Sequence, residues 1–347
     1  MSHKKRQGRK TRNYARRTPL WLSVLLAAGL TLFSIFSVWY VHHPRRWLIA
    51  YEDILPSYIT AAIYSFGNPI GDITDSLGLT GHDTIYEYDE LAPENSVHFA
   101  GLPVRIGSPA PADIRVLNRG DFIIGWSDSL RHPVWVAYHV PAEARFPSLS
   151  RPAFTKDKGL ELSPAPQAYT NSGMDRGHMA PNYAIATRFG EGAQKLTFQM
   201  SNIAPQTPQL NRGVWRDVEH RIADLWTAKY GEIWVIVGCF GSVNGSQFII
   251  SDHIEIPEYF YQIIVAQEGY NVRAMAVLFD QDVGWNDWAA RHLISIDELE
   301  DLTGLDFLSE LPSFIQNPLE AELPSRLWPV KPTDALKSLL NHFGGNR

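Results

Sequence analysis

The longest apolar stretch in the chain, PLWLSVLLAAGLTLFSIFSVWYV, runs 23 residues from position 19 to 41 without a charge. That is long enough to cross a bilayer as a helix. It ends in SVWYVHHPRRW, whose aromatics suit a membrane interface, rather than in a small-residue cleavage site, so the pattern predicts an uncleaved anchor. Residues 42–95 alternate apolar patches with the turn-rich FGNPIGD and TDSLGLTGHD and show no strong period, as expected of a neck or linker. From residue 96 the pattern sharpens. RGDFIIGWSDS and HPVWVAYHV predict a strand pair, KLTFQMSNIAPQ a strand ending at Pro205, and EIWVIVGCFG, QFIISDHIEIP, EYFYQIIVAQ and VRAMAVLFD four further strands. Val214, Val218, Ile222 and Leu225 recur at helical spacing up to a stop at Gly231, and SIDELEDLTG predicts a helix with a serine cap, an acidic first turn and a glycine stop. Strand runs broken by occasional helices predict an α+β domain with a mostly antiparallel central sheet flanked by helices.

Composition fits a packed globule. The chain has 347 residues, 45% of them hydrophobic, with 11 Trp, 14 Tyr and 16 Phe. The single cysteine, Cys239, cannot form an internal disulfide, and its apolar neighbours predict a buried structural thiol. The net charge of -6 hides an asymmetry. The first 50 residues hold ten Lys or Arg and no Asp or Glu, which leaves the rest of the chain at -16. Eight of those basic residues precede the apolar run, so the positive-inside rule predicts a cytoplasmic N-terminal tail (1–18), a transmembrane anchor (19–41) and everything from residue 42 outside, in the periplasm or extracellular space. His42 and His43 have no carboxylate nearby and read as polar flank. An acidic outer part excludes a large basic surface gripping nucleic acid by charge alone, so a polyanionic substrate would need a local basic cleft or metal ions.

No Walker-type glycine loop, CxxC pair or HExxH helix is present. Two segments carry the candidate chemistry: DRGH at 175–178 and NIAPQTPQLNRGVWRDVE at 202–219. On a continuous helix Asn211, Trp215 and Glu219 would advance only about 40° at each step and lie along one stripe. An amide oxygen and a carboxylate would then face one cavity, where the amide suits magnesium. The bland readings are a helix N-cap for Asn211, a solvated charge for Glu219 and core packing for Trp215. In DRGH, read as a loop, His178 has the titration range of a general base, Gly177 permits close approach, Arg176 offers a fork of donors for phosphate, and Asp175 reads as a structural partner that orients the loop. Together these groups suit metal-assisted phosphodiester hydrolysis.

The segments SGMDRGHMAP, WVAYHV, MSNIAPQTPQLNRGVWRDVE, IEIPEYFYQIIV and IDELEDLTGLDFLSELP resemble the DNA/RNA non-specific endonucleases, the DRGH family with the ββα-metal fold, over roughly residues 96–316, followed by a C-terminal tail at 317–347. The resemblance implies His178 as general base and Asn211 as the sole direct metal ligand. It has Glu219 hold metal-bound water, Arg176 assist phosphate and transition-state charge, and Gln206 line the site. A further arginine is expected before DRGH, and Arg151 is preferred over Arg145. Met174 stands where an aromatic is more usual, a departure that bears on packing. The implied cofactor is Mg2+, with Mn2+ or another divalent cation as the alternative. The implied substrates are DNA and RNA, cut with little sequence preference to leave 5′-phosphate ends, while a homodimer and an inhibitor protein stay open as partners. Two other readings compete: a non-catalytic nucleic-acid- or surface-binding protein that keeps the fold, and a hydrolase of small phosphodiesters.

Overall fold

The structure, a computed structural model, describes residues 29, 31, 73, 77, 84–87, 96–242, 253–285 and 287–334. The chain divides into two units, residues 1–43 and 44–347, and apart from Gly29 and Thr31 every described residue lies in the second. The apolar run 19–41 falls outside the described residues except for those two, both helical, as do the basic tail, His42, His43 and nearly all of the neck. Among the described residues no helix is long and apolar enough to cross a membrane.

Twelve strands are described. They are β1 (Tyr86–Glu87), β2 (Val104–Arg105), β3 (Ile114–Asn118), β4 (Phe122–Ser127), β5 (His132–Val140), β6 (Asp175–His178), β7 (Ile203–Gln206), β8 (Ile233–Phe240), β9 (Tyr259–Glu268), β10 (Asn271–Asp280), β11 (Leu293–Ile294) and β12 (Leu305–Asp306). Eight of them form one sheet in the order β1-β10-β9-β8-β5-β4-β3, with β11 beside β10, and every pairing in it is antiparallel. The central strands read as nearly unbroken apolar runs because both faces of the sheet are covered. On one face Trp135, Trp234, Tyr261 and Ile263 pack against Leu299 of helix α6 (Ile296–Thr303) and Ile315 and Leu319 of α7 (Ser313–Ala321). On the other, Phe260 and Phe279 meet the edge of Trp215 at ring-centre distances of 5.8 and 6.3 Å. Cys239 lies buried in β8 and donates its thiol proton to the Pro133 carbonyl at 3.2 Å, the structural role expected of it, and burial pushes the thiol up.

The cap signals of α6 hold. The Ser295 hydroxyl accepts the Glu298 N–H, and Gly304 ends the helix in the left-handed conformation at φ 68°. Three local readings change. KLTFQMSNIAPQ is not one strand: helix α2 (Glu191–Thr197) runs into a 3-10 turn at Met200–Asn202, and only Ile203–Gln206 is extended. Seven residues are too few for periodicity to separate helix from strand, and the Glu191–Lys195 ion pair at 2.6 Å favours the helix. DRGH is a strand rather than a loop. QFIISDHIEIP falls largely outside the described residues, and its end, 253–257, carries one isolated bridge instead of a strand.

Candidate active site

The site is built on a strand–strand–helix unit that stands off the main sheet. β6 and β7 pair antiparallel as a ribbon, placing Asp175 opposite Gln206, Arg176 opposite Pro205, Gly177 opposite Ala204 and His178 opposite Ile203. The Gln206 side chain lies diagonally across the ribbon, so a Cβ on residue 177 would fall 2.1 Å from Gln206 Oε1. Glycine is required there by the close approach of that amide. Gln206 is fully buried, and neither its Oε1 nor its Nε2 has a hydrogen-bond partner.

His178 is 8% exposed and held between Phe154, 5.3 Å away, and Phe198, which meets it edge-on at 4.7 Å. Its Nε2 is buried and without a partner. Burial, reinforced by the Arg151 charge, lowers its pKa to about 3, so the ring is neutral at physiological pH. The ordinary histidine range expected from sequence is not what the fold provides, because a sandwich of two phenyl rings desolvates the imidazolium.

One residue that fixes this histidine carries no motif signal. Asn202, fully buried, accepts the Ala180 N–H at 2.8 Å and donates to the carbonyls of Ala180 and Thr197, both at 3.0 Å. It ties the chain just past His178 to the end of α2. Gln281 does the same for the other end of the ribbon, donating to the Pro205 and Pro257 carbonyls at 2.9 Å and accepting the Thr207 N–H at 2.8 Å. Neither was legible as a site residue, since a lone amide announces no partner until the fold brings distant carbonyls to it.

After the ribbon, Thr207 caps helix α3 (Pro208–Arg212), its hydroxyl accepting the Leu210 N–H. Asn211 is therefore not the N-cap. It sits in the last turn, where its Nδ2 donates to Asp175 Oδ2 at 2.9 Å, while Arg212 grips the same carboxylate through Nε and Nη2 at 2.7 and 2.6 Å. Burial pushes the Asp175 carboxyl up, but the bonds from Arg212 and Asn211 outweigh it and hold the group below its usual range. Asp175 thus holds the Asn211 amide and the Arg212 guanidinium together. Its grip on the amide nitrogen leaves the Asn211 oxygen without a hydrogen bond from any described residue.

The helix breaks at Gly213, whose conformation (φ −101°, ψ −118°) would put a Cβ 2.3 Å from the Gln209 carbonyl oxygen. α4 (Val214–His220) is a separate helix, with α5 (Thr227–Tyr230) further on, so the three-residue stripe is real only for its last two members. Trp215 is core, as the bland reading had it, and its Nε1 donates to Glu219 Oε1 at 3.0 Å. Burial raises Glu219 to about 8, opposed by the Trp215 bond and by the charges of Arg216 and Arg151. It is no solvated helix charge.

The arginines separate by position. Arg176 is half-buried: its Nε and Nη2 reach the Pro166 carbonyl at 3.0 and 2.5 Å, and its guanidinium lies 5.3 Å from the Phe154 ring and 5.8 Å from that of Tyr169. Arg151 is exposed, stands 5.6 Å from the Phe198 ring, and its charge acts on both His178 and Glu219. Arg145 is exposed, and its backbone N–H is bound to Thr187. Met174 packs at the edge of a small cluster around Tyr169, Met200 and Ile203, consistent with a role in packing alone. The result is a neutral buried base, an open cation, a half-buried carboxyl and an amide oxygen aimed away from its partner. Such a set can deprotonate water beside a bound anion.

Residues 103–314 match the family model described as DNA/RNA non-specific endonuclease. The chain is 30% identical over 254 residues to a protein called nuclease from Nostoc sp., covering 67% of this chain and 88% of that one. It is 29% identical over 245 residues to the mitochondrial nuclease EXOG of Danio rerio, covering 65% and 70%. With the nuclease of Serratia marcescens it shares 26% identity over 239 residues, covering 62% and 84%. A solved complex of EndoG with EndoGI has a similar fold, with a TM-score of 0.52 at 23% identity over 57% of this chain and 86% of that one.

Proposed function

The chain belongs to the DNA/RNA non-specific endonuclease family, and from that premise we propose that it is a membrane-anchored endonuclease in which His178 activates water against the phosphodiester backbone. It is a nuclease, a phosphodiester hydrolase. The observation that carries the mechanism is a neutral, slightly exposed His178 on the β6–β7 ribbon, near the open charge of Arg151.

The neutral His178 imidazole takes a proton from a water molecule. The hydroxide so formed attacks phosphorus in line, the bond to the 3′-oxygen breaks, and that oxygen leaves with a proton from solvent. The products carry 5′-phosphate and 3′-hydroxyl ends. Phe154 and Phe198 keep bulk water from the imidazole, and Arg151 offsets negative charge gathering on the phosphate. Arg176, anchored on the Pro166 carbonyl through Nε and Nη2, assists with phosphate and transition-state charge through its remaining donors.

The residues fit a divalent cation. Asn211 presents a free amide oxygen and Glu219 a half-buried carboxyl, a hard-oxygen set suited to magnesium, and the unpartnered Gln206 amide nearby calls for ordered water or a ligand. Asn211 would hold the ion directly and Glu219 through water; when bound, the ion supplies positive charge that lowers the cost of the anionic transition state. Little sequence preference is expected from a site that reads the backbone. Plasmid DNA and RNA assays of the purified chain, after EDTA treatment and again after Mg2+ or Mn2+ addition, test this reading: activity should vanish and return. Full activity in EDTA sinks it. The anchor rests on the uncharged run 19–41 with eight basic residues before it. A C-terminal reporter active only in the cytoplasm would overturn that topology.

A further inference from the structure

Next to Glu219 a groove of about 530 Å³ opens between Asn182–Phe189, helix α1, and α4. Pro181, Tyr183, Gly213, Arg216, Glu219 and Asp224 line it. Its size falls in the range of about 300–1,000 Å³ that takes a nucleotide-sized ligand. Glu219 belongs to both this groove and the site already described, so whatever enters the groove lies beside the reacting phosphate.

Two features give the groove a chemistry. The first is Tyr183, 43% exposed despite being a large aromatic, with its hydroxyl donating to Asp224 Oδ1 at 3.0 Å. Asp224 is itself paired through its other oxygen with His220 Nδ1 at 2.9 Å. The ring is therefore fixed by its tip and leaves its body to solvent. The second is charge. Apart from Glu219, the acidic groups of the groove are engaged, Asp224 with His220 and Asp217 with Arg221 at 3.0 Å. Exposed Arg216 makes no hydrogen bond among the described residues. On a chain whose outer part carries -16, this is a local place where a phosphate meets an uncommitted cation.

We propose that this groove seats the nucleoside flanking the scissile phosphate, its unpaired base stacked on Tyr183 and its own phosphate paired with Arg216. The proposal rests on the nuclease reading and deepens it. A base can lie on Tyr183 only when it is out of a duplex, so the groove selects single-stranded DNA or RNA, or a frayed or flipped base, over intact double helix. Sequence preference stays weak because every base has a stacking face.

The test uses the full chain carrying His178→Ala, so that binding is read without turnover, with a fluorescent single-stranded oligonucleotide and a duplex of the same sequence followed by anisotropy. Adding Tyr183→Ala should weaken single-strand binding about tenfold, the size of one base–aromatic stack, and change duplex binding less than about twofold. Tyr183→Phe, which keeps the ring, should restore single-strand affinity. Arg216→Ala should weaken binding and flatten its salt dependence by about one phosphate contact. Tyr270→Ala removes a still more exposed aromatic from the β9–β10 turn and should change nothing. Unchanged single-strand affinity in Tyr183→Ala, or equal losses on both ligands that Tyr183→Phe does not restore, would overturn the proposal. If the wild-type chain cleaves but Tyr183→Ala binds unchanged, only the groove assignment fails; if the wild-type chain neither binds nor cleaves, the nuclease mechanism fails with it.

Discussion

Gly177 offers a sharp test of the ribbon that carries His178. In Gly177→Ala the new methyl would lie 2.1 Å from Gln206 Oε1, 2.5 Å from its Cδ and 2.7 Å from its Cγ. All three contacts are well inside van der Waals distance, and Gln206 is fully buried, so it cannot swing into solvent to relieve them. Overpacking of this kind costs about 1–3 kcal/mol. At roughly 2–4 °C per kcal/mol for a domain of this size, the melting temperature should fall by about 2–12 °C. Turnover should fall further than stability, because His178 is the next residue and a displacement of about 1 Å can cost on the order of a hundredfold. Differential scanning calorimetry and plasmid nicking rates measure the two effects. The cause can be isolated: Gln206→Ala in the Gly177→Ala background removes the obstructing side chain and should recover most of the lost melting temperature, a coupling of about 1 kcal/mol or more. A Gly177→Ala protein with wild-type melting and turnover, or a loss that Gln206→Ala does not relieve, would refute the reasoning.

Other consequences follow from single contacts. Asn202→Ala strips the Ala180 N–H and the Ala180 and Thr197 carbonyls of their partner, and should cost roughly 2–4 kcal/mol in denaturant unfolding while lowering turnover. Asp175→Ala releases the Asn211 amide and Arg212, and should weaken divalent-cation affinity about 10–100-fold by calorimetric titration with little change in folding. Between α6 and α7, Asp297, Glu300 and Glu320 bring carboxyl oxygens within 4.8 Å of one another. Burial, then the neighbouring Glu300 charge, raises Glu320 from 4.5 to about 8. The folded state holds that proton more tightly than the unfolded chain does, so the contribution is full below about pH 4.5 and is lost as pH rises through about 8. Glu320→Gln should therefore raise the melting temperature at pH 8 and above and flatten its decline across that window.

How much of this the chain declares in advance depends on how local each cause is. β5 and β8 are readable because a strand covered on both faces must be largely apolar, and HPVWVAYHV and IWVIVGCF are. α6 is readable because Ser295 and Gly304 signal its ends in its own sequence. The candidate constellation could be named from DRGH and LNRGVWRDVE, yet its geometry could not. DRGH contains a glycine and two charges and looks like a loop; it becomes a strand because Ile203–Gln206, nearly thirty residues on, pairs with it. The stripe from Asn211 to Glu219 assumed one helix, whereas the close approach of Gly213 to the Gln209 carbonyl makes it two. Arg176 shows the same limit from another side. Its residue type suits phosphate, but the Pro166 carbonyl that binds its Nε and Nη2 and the two aromatic rings that flank it are placed by tertiary packing and have no local signal.

The central claim is that the neutral His178 is the base that activates water in a metal-dependent cut of the nucleic-acid backbone. Its most direct measurement is cleavage of supercoiled plasmid and of single-stranded RNA by the purified full chain in Mg2+, beside His178→Ala of unchanged melting temperature. The mechanism predicts that both substrates are degraded by the wild-type chain and that His178→Ala loses at least about a hundredfold in rate on each, the contribution of a positioned general base. Cleavage by His178→Ala at the wild-type rate would contradict it.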